Sequence, residues 1–315
     1  MNYIEQLQTF DINSLPDLDV VVLGALELFT ETELPQINLE QFERPLVVGS
    51  GNAEATGRIL FADTDAVFAS ESDYQRKLES VAAIDGVVII SASGSKHASQ
   101  IAEYVAERGL TVTLITNTAN SPAERALSGA DVTVVVMPKN REPYTYNTST
   151  YLGMIMAARG EDPAGIKNFI ESTVSELDFD LLGEHDKFYL IVPPRFAQII
   201  RMLEVKFIEL FGRNIARDVE TSEYVAHATT VAPANEVFIS FGEENTTWGD
   251  PSRRLYIPLP DDAGYGAMMA IGYYVISQVQ SRQPDYFKQN IAEYTQRISD
   301  IFGGDIQPIV PRADN

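Results

Sequence analysis

Cysteine is absent from the 315 residues. That excludes a disulfide framework, a thiolate zinc site, an iron–sulfur cluster and a cysteine nucleophile. Histidine is almost as scarce. His97, His185 and His227 are the whole set, and no two stand at i, i+2 or i, i+4, so there is no histidine-rich metal motif. Basic side chains are few, 23 against 45 acidic ones, for a formal charge of −22. A general nucleic-acid binder needs a basic face and an anionic membrane attracts basic segments, so neither is expected as a partner. No run of 18 apolar residues occurs, so no transmembrane helix is expected. The opening MNYIEQLQTFDINSLPD lacks the basic and apolar regions of a signal peptide, and the expected location is the cytoplasm. An anionic substrate would be repelled at long range. Any phosphate site must therefore be built locally from amides, hydroxyls and a lysine.

What the sequence does contain is an ordinary globular composition, 45% hydrophobic and 22% charged. The length suggests roughly two domains of about 150 residues each. Residues 1–44 read as a helical extension, with Pro16 and Pro35 as breakers. A strand–helix alternation then begins. Strands are expected at 45–48, 66–69, 86–90, 111–115 and 132–136, and helices at 53–61, 73–82, 98–107 and 122–127. Helices 147–158 and 163–177 close this first unit, which spans 45–178. The alternation restarts in a second unit, 179–302. It has strands at 187–192, 215–219, 236–241 and 254–257, and helices at 196–211, 266–280 and 286–301. Such alternation means a mostly parallel sheet with helices on both faces. The small-residue helix at 264–275 suits close packing against a second subunit or within the second unit. The tail, 303–315, holds two prolines and is expected to run over the surface.

Ligands of an open parallel sheet bind past the carboxyl ends of its strands. Two turns there carry chemistry. Gly49-Ser50-Gly51-Asn52 lets the chain turn sharply and bring backbone amides close to a ligand. Ser91-Ala92-Ser93-Gly94-Ser95-Lys96 combines three hydroxyls, a helix N-terminus and one lysine, a cradle suited to phosphate. Either Ser93 or Ser95 also suits a plain helix cap.

The second turn resembles the S-x-S-G-x-T signature of the sugar isomerase (SIS) family, with Lys96 where that motif closes on threonine. Thr116-Asn117 after the next strand, and Glu142 six residues before Thr148 and nine before Tyr151, are similar to other positions of the family. The resemblance implies two flavodoxin-like, three-layer α/β/α SIS domains related by a pseudo-twofold axis. It implies a phosphorylated sugar as ligand, no cofactor, no metal and a homodimer. Lys206-Phe207-Ile208-Glu209, with His227 eighteen residues after Glu209, resembles the bifunctional phosphoglucose/phosphomannose isomerases. That likeness implies Glu209 as the base moving a proton between C1 and C2 through an enediol. It implies His227, supplied by the other subunit, as the ring-opening group. Gly51, Asn52, Ser91, Ser93, Gly94, Ser95, Lys96, Glu142 and Thr148 would hold or line the substrate. The family's late lysine has Lys288 as its only counterpart.

On residues alone, the Lys206–Glu209 pair at i, i+3 also reads as a solvated ion pair, and His227 as a surface residue. Two other functions stay open. One is a phosphosugar sensor without catalysis. The other is a dinucleotide-binding oxidoreductase, suggested by Gly49-x-Gly51 with Glu71 about 20 residues on, but with Glu54 where the third glycine belongs.

Overall fold

The computed structural model describes residues 2–231 and 235–313. Helices α1 (Tyr3–Thr9) and α2 (Leu18–Glu31) come first. The first sheet follows with β1 (Pro45–Gly49), α3 (Asn52–Leu60), β2 (Val67–Ser70), α4 (Tyr74–Ser80), β3 (Gly86–Ile90), α5 (His97–Ala106), β4 (Val112–Thr116), α6 (Pro122–Ala126) and β5 (Val132–Val136). A short β6 (Glu142–Pro143) leads into α7 (Thr148–Arg159) and α8 (Pro163–Phe169). The second sheet is built from β7 (Lys187–Val192), α9 (Ile200–Phe211), β8 (Ala216–Thr221), α10 (Ser222–Ala228), β9 (Val237–Phe241) and β10 (Arg254–Ile257). Helices α11 (Tyr265–Gln280) and α12 (Tyr286–Phe302) and a short β11 (Ile309–Val310) end the chain. None of the described helices is long and apolar enough to cross a membrane.

Strands β1, β3 and β4 are buried at every residue. That is why they read as continuous apolar runs rather than alternating ones: both faces of a parallel sheet are covered by helices. The first sheet has the order β2-β1-β3-β4-β5 and is wholly parallel. The second, β10-β9-β7-β8, is also parallel. In each, the opening strand is flanked by the next two, so the second sheet repeats the connectivity of the first without a fifth strand. The expected fold class, parallel α/β layers in both halves, is what the chain adopts. A Rossmann sheet would instead run outward from its first strand in the order 3-2-1-4-5-6, so the topology speaks against the dinucleotide-binding alternative.

Three segments are placed by long-range contacts. The N-terminal extension is helical and lies centrally. Helix α2 packs against α7, α8 and α11 in one apolar core that runs from Ile4 to Ile291. Its first turn is tied to α11, where the Leu18 amide donates to Gln280 Oε1 at 3.0 Å and the Asp19 amide to Ser277 Oγ at 2.8 Å. Leu18, Val21 and Val22, in its first turns, are fully buried. The small-residue helix, α11, is buried along most of its length within the chain, against α2, α7 and α9. The tail does not simply wander. Ile309 and Val310 pair antiparallel with Pro143 and Glu142, and the Tyr144 amide donates to the Pro308 carbonyl at 2.8 Å.

Candidate functional site

The strand order sets the location. From β1 the chain crosses to β2 on one side, and from β3 it crosses to β4 on the other. The loops after β1 and β3 therefore diverge and leave a crevice between them, the switch point of an open sheet. A cleft of about 410 Å³ lies there. Its walls are Gly49, Ser50 and Ala53 from the β1 loop and Ser91, Ser93, Ser95 and Lys96 from the β3 loop. Glu71, His97, Tyr144 and Tyr151 complete it. Gly49 has to be glycine, since a Cβ would stand 2.7 Å from the Ala53 carbonyl carbon and the Glu54 amide nitrogen.

The β3 loop is braced from behind. Ser91 Oγ accepts the Gly94 amide at 3.1 Å. The Ala92 carbonyl accepts from Thr116 Oγ1 at 3.1 Å and from the Asn117 amide at 3.0 Å. The Gly94 carbonyl accepts the Ala123 amide at 2.7 Å. Ser93 Oγ and Ser95 Oγ sit 2.6 Å apart. The carbonyls of Ala92 and Gly94 are thus occupied from behind, and Ser93, Ser95 and Lys96 line the cleft just ahead of α5, whose N-terminus carries partial positive charge. Lys96, the residue just before α5, adopts φ 53° and ψ −122°. This is strained for any residue but glycine, of the kind that concentrates at ligand clamps. Partial burial also lowers the Lys96 pKa.

No family model matches the sequence, and no curated protein does. Solved structures do resemble the fold. One is tagatose-6-phosphate ketose/aldose isomerase from Escherichia coli, 13% identical, with TM-score 0.59 and alignment over 91% of this chain and 93% of that one. Another is the C-terminal domain of glucosamine-fructose-6-phosphate aminotransferase from Francisella tularensis, 14% identical, with TM-score 0.57 and alignment over 89% and 92%. The chain shares the fold of these structures.

The sequence-derived site residues do not all meet in one place. Ser91, Ser93, Ser95 and Lys96 meet on the cleft. Gly94 stands directly behind them against Ser121. Gly51 and Asn52 belong to the facing turn but do not line the cleft: Gly51 precedes α3, and the Asn52 carbonyl accepts Thr56 Oγ1 at 2.8 Å.

Glu142 and Thr148 are set back in the interior rather than on the cleft wall. Glu142 is 3% exposed. Its carboxylate accepts the Thr148 and Ser149 amides, both at 2.7 Å, and the Ser149 hydroxyl. It thereby caps α7, whose preceding residue, Asn147, is left-handed (φ 46°) and makes no side-chain cap. Lys288 is not at the cleft either, being paired with Asp17 at 2.8 Å.

Glu209 faces a separate hollow of about 430 Å³, shared with Thr145, Asn214, Tyr286 and Tyr294. Lys206, fully buried, donates to Glu209 Oε2 at 2.8 Å and to the carbonyls of Thr145 and Tyr146 at 3.1 and 2.8 Å. The pair is therefore an interior clamp rather than a solvated face. Tyr144 lines the cleft, and its ring lies 6.4 Å from that of Tyr294, so Tyr144 forms the partition between the two spaces. His227 is exposed on α10, outside both. Tyr144 and His97 had no assigned role from sequence. Tyr144 directly follows β6, which pairs with β11, and nothing local signals that pairing.

Burial raises the carboxyl pKa of Glu142, against hydrogen bonds from Ser149 and Thr148, and that of Glu209, against the Lys206 cation. A raised folded-state pKa means stability that is complete below the unfolded value near 4.5 and is lost as pH rises through the folded value. The melting temperature is thus expected to be higher near pH 5 than at pH 8, and the Glu209→Gln variant should show a flatter profile. Thermal melts across that range check it. A wild-type melting temperature that climbs towards pH 8 contradicts it.

Proposed function

We propose that the protein binds a phosphorylated sugar with its phosphate against Ser91, Ser93, Ser95 and Lys96, and interconverts its aldose and ketose forms by proton transfer through an enediol. The carrying observation is the braced β3 loop, which brings three serines and a lysine of strained backbone to the switch-point cleft of a molecule that is otherwise strongly acidic. Local donors suit a dianion here because the overall charge cannot attract one. The reaction needs a base, and Glu209 is assigned that role: burial raises the pKa of its carboxyl, against the Lys206 cation. Hydrogen bonds are enough to stabilise an enediol. In this reading His227 opens the sugar ring in the cleft of a second copy of the chain, which accounts for its exposed place on α10.

Fructose 6-phosphate as substrate, with assay for glucose 6-phosphate and mannose 6-phosphate, tests the activity. Glu209→Gln is expected to lower turnover at least a thousandfold and leave stabilisation by inorganic phosphate unchanged. Unaltered turnover removes Glu209 from the role of base.

One observation favours a second reading, a phosphosugar-binding protein without turnover. The Glu209 carboxylate is already held by Lys206 and opens on the hollow beyond Tyr144, not on the cleft. Thermal stabilisation by fructose 6-phosphate with no product formed would select it.

A further inference from the structure

Glu209 does not open on the cleft, yet it lies close behind its wall. Burial, Tyr294 and Glu209 raise the pKa of Tyr144, and burial followed by Glu209 raises that of Tyr151. Both tyrosines line the cleft, so the charge of Glu209 acts across the wall they form. The two differ in freedom. Tyr151 is 6% exposed and sits in the buried stretch of α7. Tyr144 is partly exposed, and its hydroxyl makes no hydrogen bond with any described residue. Its ring meets only the tilted ring of Tyr294, itself 43% exposed.

The main chain around Tyr144 is fixed on both sides. Its amide donates to the Pro308 carbonyl at 2.8 Å, and Lys206 grips the carbonyls of Thr145 and Tyr146. Thr145 is held at φ 76°, an outlier for a β-branched residue, and its Oγ1 is buried without a partner. Such strain persists only where the surroundings over-determine the backbone. What remains free is the side-chain torsion of Tyr144, and a partly exposed side chain changes rotamer without moving its backbone. Spaces of about 410 and 430 Å³ lie on its two sides.

We infer that the Tyr144 ring controls access to Glu209: it turns aside when a sugar phosphate binds, and the cleft and the Glu209 hollow become one site. The phosphate then stays on the β3 loop while the sugar carbons meet the carboxylate. Tyr144 is a positioning residue here, since Glu209 takes the proton. This rests on the isomerase reading and supplies what that reading lacks, a route from the carboxylate to the cleft.

Crystals of the wild-type protein soaked with inorganic phosphate should keep the Tyr144 ring between the two spaces, and crystals soaked with fructose 6-phosphate should show it displaced. In solution, Tyr144→Ala is expected to raise kcat about fivefold, as when the cleared state is populated to about a fifth. The same substitution in a Glu209→Gln background should give no gain. A merely structural tyrosine would lower stability without a gain in kcat that depends on Glu209. A ring still in place beside bound fructose 6-phosphate, or a Tyr144→Ala kcat at or below that of wild type, overturns the access role and leaves the isomerase reading standing. A gain that survives Glu209→Gln overturns the link to Glu209. Binding without turnover in wild type and Tyr144→Ala alike overturns the isomerase reading and this inference with it.

Discussion

Gly94→Val is expected to abolish stabilisation by inorganic phosphate and by sugar phosphates, and to lower folding stability by roughly 3 kcal/mol. Two effects combine. Gly94 has φ +58°, a left-handed conformation that a β-branched residue resists. A Cβ there would also stand 2.3 Å from Ser121 Oγ and 2.5 Å from Ser121 Cβ. Neither neighbour can easily retreat. Ser121 caps α6 by accepting the Glu124 amide at 3.2 Å, and the Ala123 amide grips the Gly94 carbonyl. The loop must therefore move, carrying Ser93, Ser95 and Lys96 with it. Chemical denaturation measures the first effect and thermal shift with phosphate the second. Adding Ser121→Gly removes the clash but not the left-handed strain, so it should restore part of each. A Gly94→Val protein that still binds phosphate normally would show that this loop does not hold the anion.

Replacing Glu142 by alanine should cost about 3 kcal/mol of stability, because the Thr148 and Ser149 amides would be left buried without an acceptor. Relief of the burial cost of the carboxylate offsets part of the loss. The conservative Glu142→Gln variant keeps an acceptor oxygen and should lose much less. Urea titration of both variants checks the order. The effect on function is expected to be indirect. Glu142 lies two residues before Tyr144 on the strand that β11 pairs with, so loosening this corner disturbs the partition between the cleft and the Glu209 hollow. If Glu142→Ala were as stable as wild type but lost all turnover, the carboxylate would belong to the chemistry and not to the cap.

How far the site was legible from sequence follows from how local each part is. The β3 loop is a contiguous stretch after an unmistakable strand, and its hydroxyls, glycine and lysine depend only on backbone turns within six residues. Its neighbour after β1 was legible for the same reason. Glu209 and Lys206 were visible as a pair on one helix, but their burial was not. It depends on carbonyls of Thr145 and Tyr146, sixty residues away in sequence. Glu142 looked like a wall residue because spacing cannot say which way a side chain turns, and the uncapped start of α7 claimed it. The tail and the first 44 residues were least legible. Both are anchored by long-range contacts, β11 on β6 and α2 on α11, that leave no periodic trace.

Local pattern alone carries the parallel α/β layers and the serine-, glycine- and lysine-bearing turn after β3. Strands buried on both faces read as near-continuous apolar runs, and the turn residues are neighbours in the chain. Long-range packing, by contrast, sets α2 against α7, α8 and α11, puts Tyr144 between the cleft and the Glu209 hollow, and brings Glu71 to the cleft that the β3 loop lines. Those placements arise from the strand order and from contacts between segments dozens to hundreds of residues apart, where the free energy lies in packing and not in any local pattern.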